Sequence, residues 1–151
     1  MAHMHAKLSD TVRFSKTVGE SDTYLFAGIT GDFSANHVNE AFMRKSRYGQ
    51  RIAHGALLVG FMSAASTLMQ SRSYEQGIDT TPVSLGYDGI RFLKPVFFGD
   101  TVTVVYSIAE IDEARLRTVA DMQVINQRDE LVAVGRHITK WVLNPEAAET
   151  A

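Results

Sequence analysis

Two segments of the sequence carry residues that could move protons. Asp32 and His37 lie five residues apart within Thr30–Asn39, where a glycine directly precedes the aspartate. Further along, Gly55 opens a long apolar segment that is predicted to be helical, so backbone N–H groups would be free at its start. A carboxylate, an imidazole and an anion-stabilising helix N-terminus are what is needed to add water to, or remove it from, a double bond conjugated to a carbonyl group.

Each of these residues also has a simpler interpretation. An aspartate beside a glycine is common in turns, so Asp32 alone could be a turn residue. Gly55 could serve only to let the chain bend into the helix. The spacing of Asp32 and His37 favours a site, because a clustered acid and base are more informative than either alone. His54 has no partner visible in the sequence, and we expect it to be a packed or capping side chain rather than a catalytic one.

The length and composition indicate one globular domain. A chain of 151 residues with an apolar fraction of 45% has enough core to fold alone, so residues 1–151 are treated as a single domain. Residues 1–3 are typical of a cloning junction and are not expected to belong to the folded domain. Because the chain has no cysteine, thiol catalysis, disulfides and cysteine-ligated metals are excluded.

The charge balance argues against polyanionic partners. The net charge of −2 gives no electrostatic attraction to nucleic acid or to an anionic membrane surface. No apolar segment typical of a secretory signal lies near the N-terminus, and we expect a cytoplasmic protein. The basic residues between Arg44 and Arg51 are expected to form a solvated face.

The first third of the chain is predicted to consist of short elements around a polar loop. Thr11–Val18 alternates loosely between apolar and polar residues, as in a strand. Ser21 is a candidate N-cap for a short helix that follows it. The small polar residues of Asp32–Asn36 predict a loop. Asn39 is a candidate cap for a second short helix over Glu40–Ser46.

Gly55–Arg72 is the longest predicted helix, roughly 27 Å at the usual rise per residue. It is apolar nearly all round, so we expect it to be buried. A membrane span is rejected because polar residues interrupt the apolar run and strands follow it. The small residues Gly60 and Ala64 favour close packing against a sheet.

The second half of the chain is predicted to form an antiparallel sheet. Strands are expected over Val83–Leu93, Thr101–Ile111, Ala114–Gln127 and Leu131–Leu143. Short turns separate the last three strands, which should therefore pair as hairpins. The polar segment Asn144–Ala151 is predicted to be a flexible tail. One long buried helix together with an antiparallel sheet is an α+β architecture.

A resemblance to a known family begins with the acid–base segment. Ala27–His37 resembles the signature of the R-specific enoyl-CoA hydratases, also called MaoC-like dehydratases. In that signature Gly-Asp is followed by Asn-Pro and by a histidine five residues after the aspartate. Gly31, Asp32 and His37 match the pattern, whereas Ser34–Ala35 stands where the family has Asn-Pro.

Two further motifs occur in the expected order. Tyr48–Gly55 is the second match, and Phe92–Val96 followed by Gly99–Val102 is the third, so the resemblance spans most of residues 20–143. It implies a hot-dog fold, in which a curved antiparallel sheet wraps a long central helix. It also implies a hydro-lyase that hydrates a trans-2-enoyl thioester or dehydrates an R-3-hydroxyacyl thioester. Coenzyme A is the expected carrier, as part of the substrate, with no separate cofactor, and thioesters of an acyl carrier protein stay open as an alternative.

The resemblance assigns roles to individual residues. Asp32 and His37 are expected to hold and activate water, since a desolvated aspartate and a histidine can both transfer protons near neutral pH. Gly55 is expected to direct its N–H at the thioester oxygen. Ser63, eight residues later, either supports the catalytic pair or permits close packing, and Asn36 is a further supporting candidate.

The expected partners are an acyl-CoA substrate and a second copy of the chain. Hot-dog proteins of this family are homodimers or multiples of dimers, with sheets joined edge to edge and the active site near the interface. A metal is not expected, because His37, His54 and His137 fall on separate elements without ligand spacing.

Two alternatives stay open. An acyl-CoA thioesterase of the same fold usually carries an acidic residue on the central helix, and Gly55–Gln70 contains none. A non-catalytic acyl-CoA binding module would have no use for the Asp32/His37 pair, although fold alone does not fix function.

Overall fold

The computed structural model describes residues 4, 6–74 and 79–145. The elements in chain order are β1 (Thr11–Thr17), α1 (Glu20–Thr30), α2 (Ala35–Val38), α3 (Glu40–Met43), α4 (Gly55–Tyr74), β2 (Thr80–Phe92), β3 (Thr101–Asp112), β4 (Arg117–Asn126) and β5 (Leu131–Leu143). The strands form one antiparallel sheet in the order β1-β3-β4-β5-β2. The predicted α+β class and the hairpin pairing of the last three strands are confirmed.

Helix α1 begins earlier than the sequence predicted. Its N-cap is Gly19 rather than Ser21, because the carboxylate of Asp22 accepts the Gly19 N–H at 2.8 Å. That contact is the main reason that the pKa of Asp22 is lowered, and Lys16 adds to the effect at 3.0 Å. The helix ends at Gly31, whose φ of 82° turns the chain sharply into the segment that carries Asp32.

The segment predicted as a loop contains a short helix. Helix α2 begins at Ala35, so His37 lies on a helical turn and not in irregular chain. The cap of the next helix is confirmed, because the Asn39 side chain accepts the Phe42 N–H at 3.0 Å. Helix α3 ends at Met43, earlier than the predicted Ser46. Helices of four residues are too short for hydrophobic periodicity to reveal them.

The core lies between α4 and the inner face of the sheet. Alternate residues of β3, from Val102 to Ile108, point inward and are buried, as the period-2 pattern predicts. Leu58, Met62 and Ala65 of α4 pack against this face. The prediction that α4 is buried all round was wrong for the single chain, because one stripe is exposed and includes Gly60, Ser63 and Leu68.

The ends of the chain are described only in part. Residues 1–3, predicted to be a cloning junction, lie outside the described residues. Residues 146–151, which make up most of the predicted tail, lie outside them as well. Asn144, predicted to begin the flexible tail, is instead held by Thr81, whose hydroxyl donates to the Asn144 side chain at 2.7 Å. Strand β4 begins at Arg117, later than predicted, because the turn before it includes Leu116 at a φ of 49°.

Candidate active site

Asp32 lies just after α1, on the turn that Gly31 makes possible. Its Oδ1 accepts the Ser34 N–H at 3.2 Å, and its own N–H is held by the Thr30 hydroxyl at 3.3 Å. The carboxylate is therefore fixed by local turn hydrogen bonds. Its side chain is 50% exposed. The single chain does not provide the desolvated aspartate that the sequence led us to expect.

His37 is oriented by a hydrogen bond to the segment that precedes α4. Its Nδ1 lies 2.8 Å from the carbonyl oxygen of Ile52. A carbonyl oxygen can only accept, so the ring proton is on Nδ1 and the Nε2 of the neutral ring carries a lone pair. Asn36 contributes through its backbone, since its carbonyl accepts the Ile52 N–H at 3.1 Å. These two bonds fix α2 against the chain before Gly55.

His54 completes a cluster with the predicted pair. It is only 1% exposed, and its ring stacks on that of His37 with centroids 3.8 Å apart. Its Nε2 donates to the backbone carbonyl of Asp32 at 2.9 Å and lies 3.8 Å from Asp32 Oδ2. The expectation of a packed side chain is confirmed, but its packing partners are the catalytic candidates themselves.

A cavity of about 280 Å³ connects His37 with the start of α4. Gly55, the first residue of α4, lines it beside His37, and apolar side chains of Leu58, Phe92 and Val96 form much of the remaining wall. In the described part of the chain, no acceptor is bonded to the Gly55 N–H. The cavity therefore joins a histidine with a free Nε2 to a backbone donor at a helix N-terminus.

The absence of a side chain at Gly55 has a structural cause. A Cβ built there would lie 2.7 Å from Cε2 and 3.0 Å from Cγ of Phe92. The Phe92 ring covers the first residue of α4, and any larger residue would have to displace it. Gly55 therefore allows the Phe92 ring to pack closely against the start of α4, in addition to letting the chain bend into the helix.

Comparisons with known proteins assign the family. The family described as "MaoC like domain" matches residues 4–130. The chain belongs to this family. It is 37% identical over 102 residues to the (R)-specific enoyl-CoA hydratase of Rhodospirillum rubrum, a match that covers 68% of this chain and 65% of that protein. It is 32% identical over 134 residues to the 3-hydroxybutyryl-CoA dehydratase of Methylorubrum extorquens, covering 87% of this chain and 78% of that protein.

Solved structures confirm the hot-dog fold. The (R)-hydratase from Aeromonas caviae, described as involved in PHA biosynthesis, has a TM-score of 0.77 and 25% identity and covers 91% of this chain and 98% of its own. A hot-dog-like protein from Thermanaerovibrio acidaminovorans has a TM-score of 0.64 at 16% identity and covers 95% of this chain and 88% of its own. At this identity the similarity supports the fold alone. This MaoC-like chain therefore has the fold that the three sequence motifs implied.

The two predicted supporting residues, Ser63 and Asn36, are both exposed. Ser63 is exposed on α4, about two helical turns after Gly55, and it does not line the cavity with His37. Asn36 is exposed beside His37. His137 lies on β5, in a separate buried network with Tyr106 and Ser84. The fold thus brings His37 and His54 together and leaves His137 in a different part of the molecule.

The acid, the base and His54 also offer three atoms that a metal could bind. One ligand atom each from Asp32, His37 and His54 lies within 4.8 Å of the others. The His54 nitrogen nearest the Asp32 carboxylate is a poor metal ligand, because this Nε2 carries a proton toward the Asp32 carbonyl. The lone pair of the His54 ring is on Nδ1, at the other position of the ring, which is buried. We therefore still predict that this site holds no metal ion.

Sequence reasoning missed the role of Arg51, which was expected in a solvated face. Its side chain pairs with Glu20 of α1 at 2.6 Å and with Glu40 of α3 at 3.0 Å, and it also reaches the Tyr24 hydroxyl at 2.6 Å. Hydrogen bonds from Arg51 lower the pKa of both glutamates. Arg51 therefore links the two helices, α1 and α3, that flank the segment with Asp32 and His37.

Proposed function

We propose that this protein is a hydro-lyase that reversibly adds water to the trans-2-enoyl thioester of coenzyme A, giving the R-3-hydroxyacyl thioester. The observation that carries the proposal is the cavity that joins His37 to Gly55. Asp32 does not line this cavity, but its carboxylate lies within 4.8 Å of a ring nitrogen of His37. Relatives named as an (R)-specific enoyl-CoA hydratase and a 3-hydroxybutyryl-CoA dehydratase support the same reaction.

The proton transfers follow from the positions of the donors and acceptors. Water is held between Asp32 and His37 and loses one proton to the pair, while its oxygen forms a bond to the β-carbon. The α-carbon receives one proton on the same face, so one water is added in total and the pair returns to its starting state. His37 can accept a proton at Nε2 because Nδ1 is committed to the Ile52 carbonyl.

The thioester oxygen is expected at the N-terminus of α4. Negative charge develops on this oxygen when the β-carbon is attacked, and an unpaired N–H at the positive end of a helix stabilises such charge. Gly55 supplies that N–H within the same cavity as His37. In a complex with a substrate analogue, the thioester oxygen should lie about 2.7–3.1 Å from the Gly55 nitrogen.

Coenzyme A is the carrier that the charges at the cavity favour. Arg47 and Lys94 both line it, and the guanidinium of Arg47 lies over the Tyr48 ring at 5.4 Å. Lys94 is paired with Glu130 at 2.8 Å, whereas Arg47 has no carboxylate partner in the described part of the chain. Arginine suits the phosphates of a nucleotide carrier because it binds them through two parallel hydrogen bonds.

A homodimer with the active site at its interface is the expected assembly. Strand β2 is an edge of the sheet, thirteen residues long, with Val83 and Leu85 exposed. Long apolar edge strands are rarely left open to water. Beside Asp32, Ile29 and Phe33 are 84% and 61% exposed. A second copy that covers them would also desolvate the Asp32 carboxylate, and sedimentation at micromolar concentration should show no monomer as the main species.

Two assays on the same samples distinguish this function from its alternatives. Hydration removes the absorbance of the conjugated enoyl thioester without releasing a thiol, whereas a thioesterase releases free coenzyme A. The absence of an acidic residue from α4 argues against the thioesterase. Thiol release at the rate of substrate loss would overturn the hydratase proposal. Substrate binding without either reaction would favour the non-catalytic module.

No helix in the described ranges is long and apolar enough to cross a membrane. The cytoplasmic location expected from the sequence is a separate proposal that cell fractionation would test.

A further inference from the structure

His54 contacts both members of the proposed catalytic pair, yet the reaction described above gives it no task. It directly precedes Gly55, and its carbonyl accepts the Leu57 N–H at 3.2 Å in the first turn of α4. It therefore stands at the junction of the three features that the reaction needs: the acid, the base and the backbone donor.

The contact with Asp32 fixes the backbone of the acid. The Nε2–H of His54 donates to the Asp32 carbonyl at 2.9 Å, across 22 residues of sequence. The other hydrogen bonds of Asp32 join it to residues only two positions away: its N–H donates to the Thr30 hydroxyl, and its carboxylate accepts the Ser34 N–H. Such local bonds cannot set the distance between the turn and α4. In the described part of the chain, the His54 bond is the only hydrogen bond between Asp32 and the chain around Gly55.

The contact with His37 fixes the plane of the base. The two imidazole rings stack at 3.8 Å with an angle of 28° between their planes. The Phe26 ring packs on His54 at 4.8 Å, so His54 is itself held in place. With Nδ1 of His37 bonded to Ile52, the stacking removes the remaining freedom of that ring to tilt.

The protonation of His54 suits support rather than proton transfer. Nε2 carries the proton that bonds Asp32, and Nδ1 is buried without a hydrogen-bond partner in the described part of the chain. His54 also does not line the cavity that contains His37 and Gly55, so its ring does not face the proposed substrate site. The ring thus presents one donor and one flat face, and each is used by a catalytic candidate.

We propose that His54 is a positioning residue that sets the distance and orientation of Asp32 and His37 relative to the Gly55 N–H. The inference rests on the proposed hydration reaction, since it assigns His54 a task within that site. Displacing a reacting group by about 1 Å can cost roughly 10²-fold in rate, so the loss of such a residue should lower kcat and leave KM nearly unchanged.

Two substitutions separate the hydrogen bond from the ring. His54→Phe keeps a ring that can stack on His37 but removes the donor. His54→Gln keeps an N–H at about the position of Nε2 but removes the ring. We expect His54→Phe to lower kcat by about 10–10²-fold with little change in KM, and His54→Gln to recover part of that loss because the Asp32 carbonyl is again bonded.

A double-mutant cycle tests whether His54 acts through Asp32. In an Asp32→Asn background, adding His54→Phe should cost much less than it does in the wild type, because the group being positioned is already lost. Equal costs in both backgrounds would overturn the proposal, as would a His54→Phe variant with wild-type kcat. Thermal unfolding measures how much of each variant is folded. If the fall in kcat only matches a loss of folded protein, His54 has a packing role alone and the proposal is overturned.

The wild-type enzyme in the same assay keeps this proposal distinct from the function it rests on. If the wild type fails to hydrate any enoyl-CoA, the proposed function fails first. The positioning claim then has a second readout, the crystal structures of the two variants. The Asp32 turn should move away from α4 in His54→Phe and stay in place in His54→Gln, and an unmoved turn in both would contradict the proposal.

Discussion

Acid should destabilise this fold through one buried histidine, His137. The side chain is 0% exposed and lies between the Tyr106 hydroxyl, 2.9 Å from Nδ1, and the Ser84 hydroxyl, 2.8 Å from Nε2. The Tyr87 ring stacks on it at 4.6 Å. Burial lowers the pKa of His137 to about 4 from the ordinary 6.5, because the charged form loses its solvation.

The direction of the effect follows from proton counts. Between pH 6.5 and pH 4 the unfolded chain binds a proton at this residue and the folded chain does not, so the free energy of unfolding falls as the pH falls. The full difference of pKa corresponds to about 3 kcal/mol, of which about 2 kcal/mol is lost between pH 8 and pH 5. That is a large fraction of the stability of an ordinary domain.

Urea unfolding of the wild type and of His137→Gln at pH 8 and pH 5, at one protein concentration, measures this term. The glutamine keeps a donor toward Ser84 but does not titrate, so the variant should lose about 2 kcal/mol less than the wild type over this range. Other titrating groups are present in both proteins and cancel in the comparison. The same pH dependence in both proteins would refute the assignment, whatever their stability at pH 8.

Three further outcomes are expected at the proposed site. Asp32→Asn and His37→Ala should each lower kcat by about 10²–10⁴-fold while the Kd of a substrate analogue changes little, and near-native turnover in either would contradict the mechanism. Gly55→Ala should lower the free energy of unfolding by about 1–3 kcal/mol, because the new Cβ would meet the Phe92 ring. Adding Phe92→Ala to this variant should relieve the loss, whereas an unchanged stability of Gly55→Ala would show that the ring moves freely. Incubation with EDTA should leave kcat unchanged, since the proton on His54 disfavours a metal, and activity restored only by Zn²⁺ would show the opposite.

The main elements of this fold could be predicted because their signals are local. The alternation of β3 and the apolar run of α4 each lie within one segment, and both elements were predicted to within two residues at both of their ends. The exposed stripe of α4 could not be predicted, because it depends on which side of the helix the sheet covers. The cap at Gly19 was missed for a related reason, since the side chain that supplies it follows three residues later.

The proposed catalytic pair could be selected from the sequence, but the residues that hold the pair in place could not. Asp32 and His37 are reactive residue types at a short spacing, so their identity and spacing were enough to single them out. His54 and Arg51 act through partners far along the chain: the His54 bond spans 22 residues, and the bond of Arg51 to the Tyr24 hydroxyl spans 27. A catalytic residue can be recognised by its type, but a positioning residue can be recognised only by what it contacts. The fold supplies those contacts by bringing the end of α1, the turn of α2 and the start of α4 to one place.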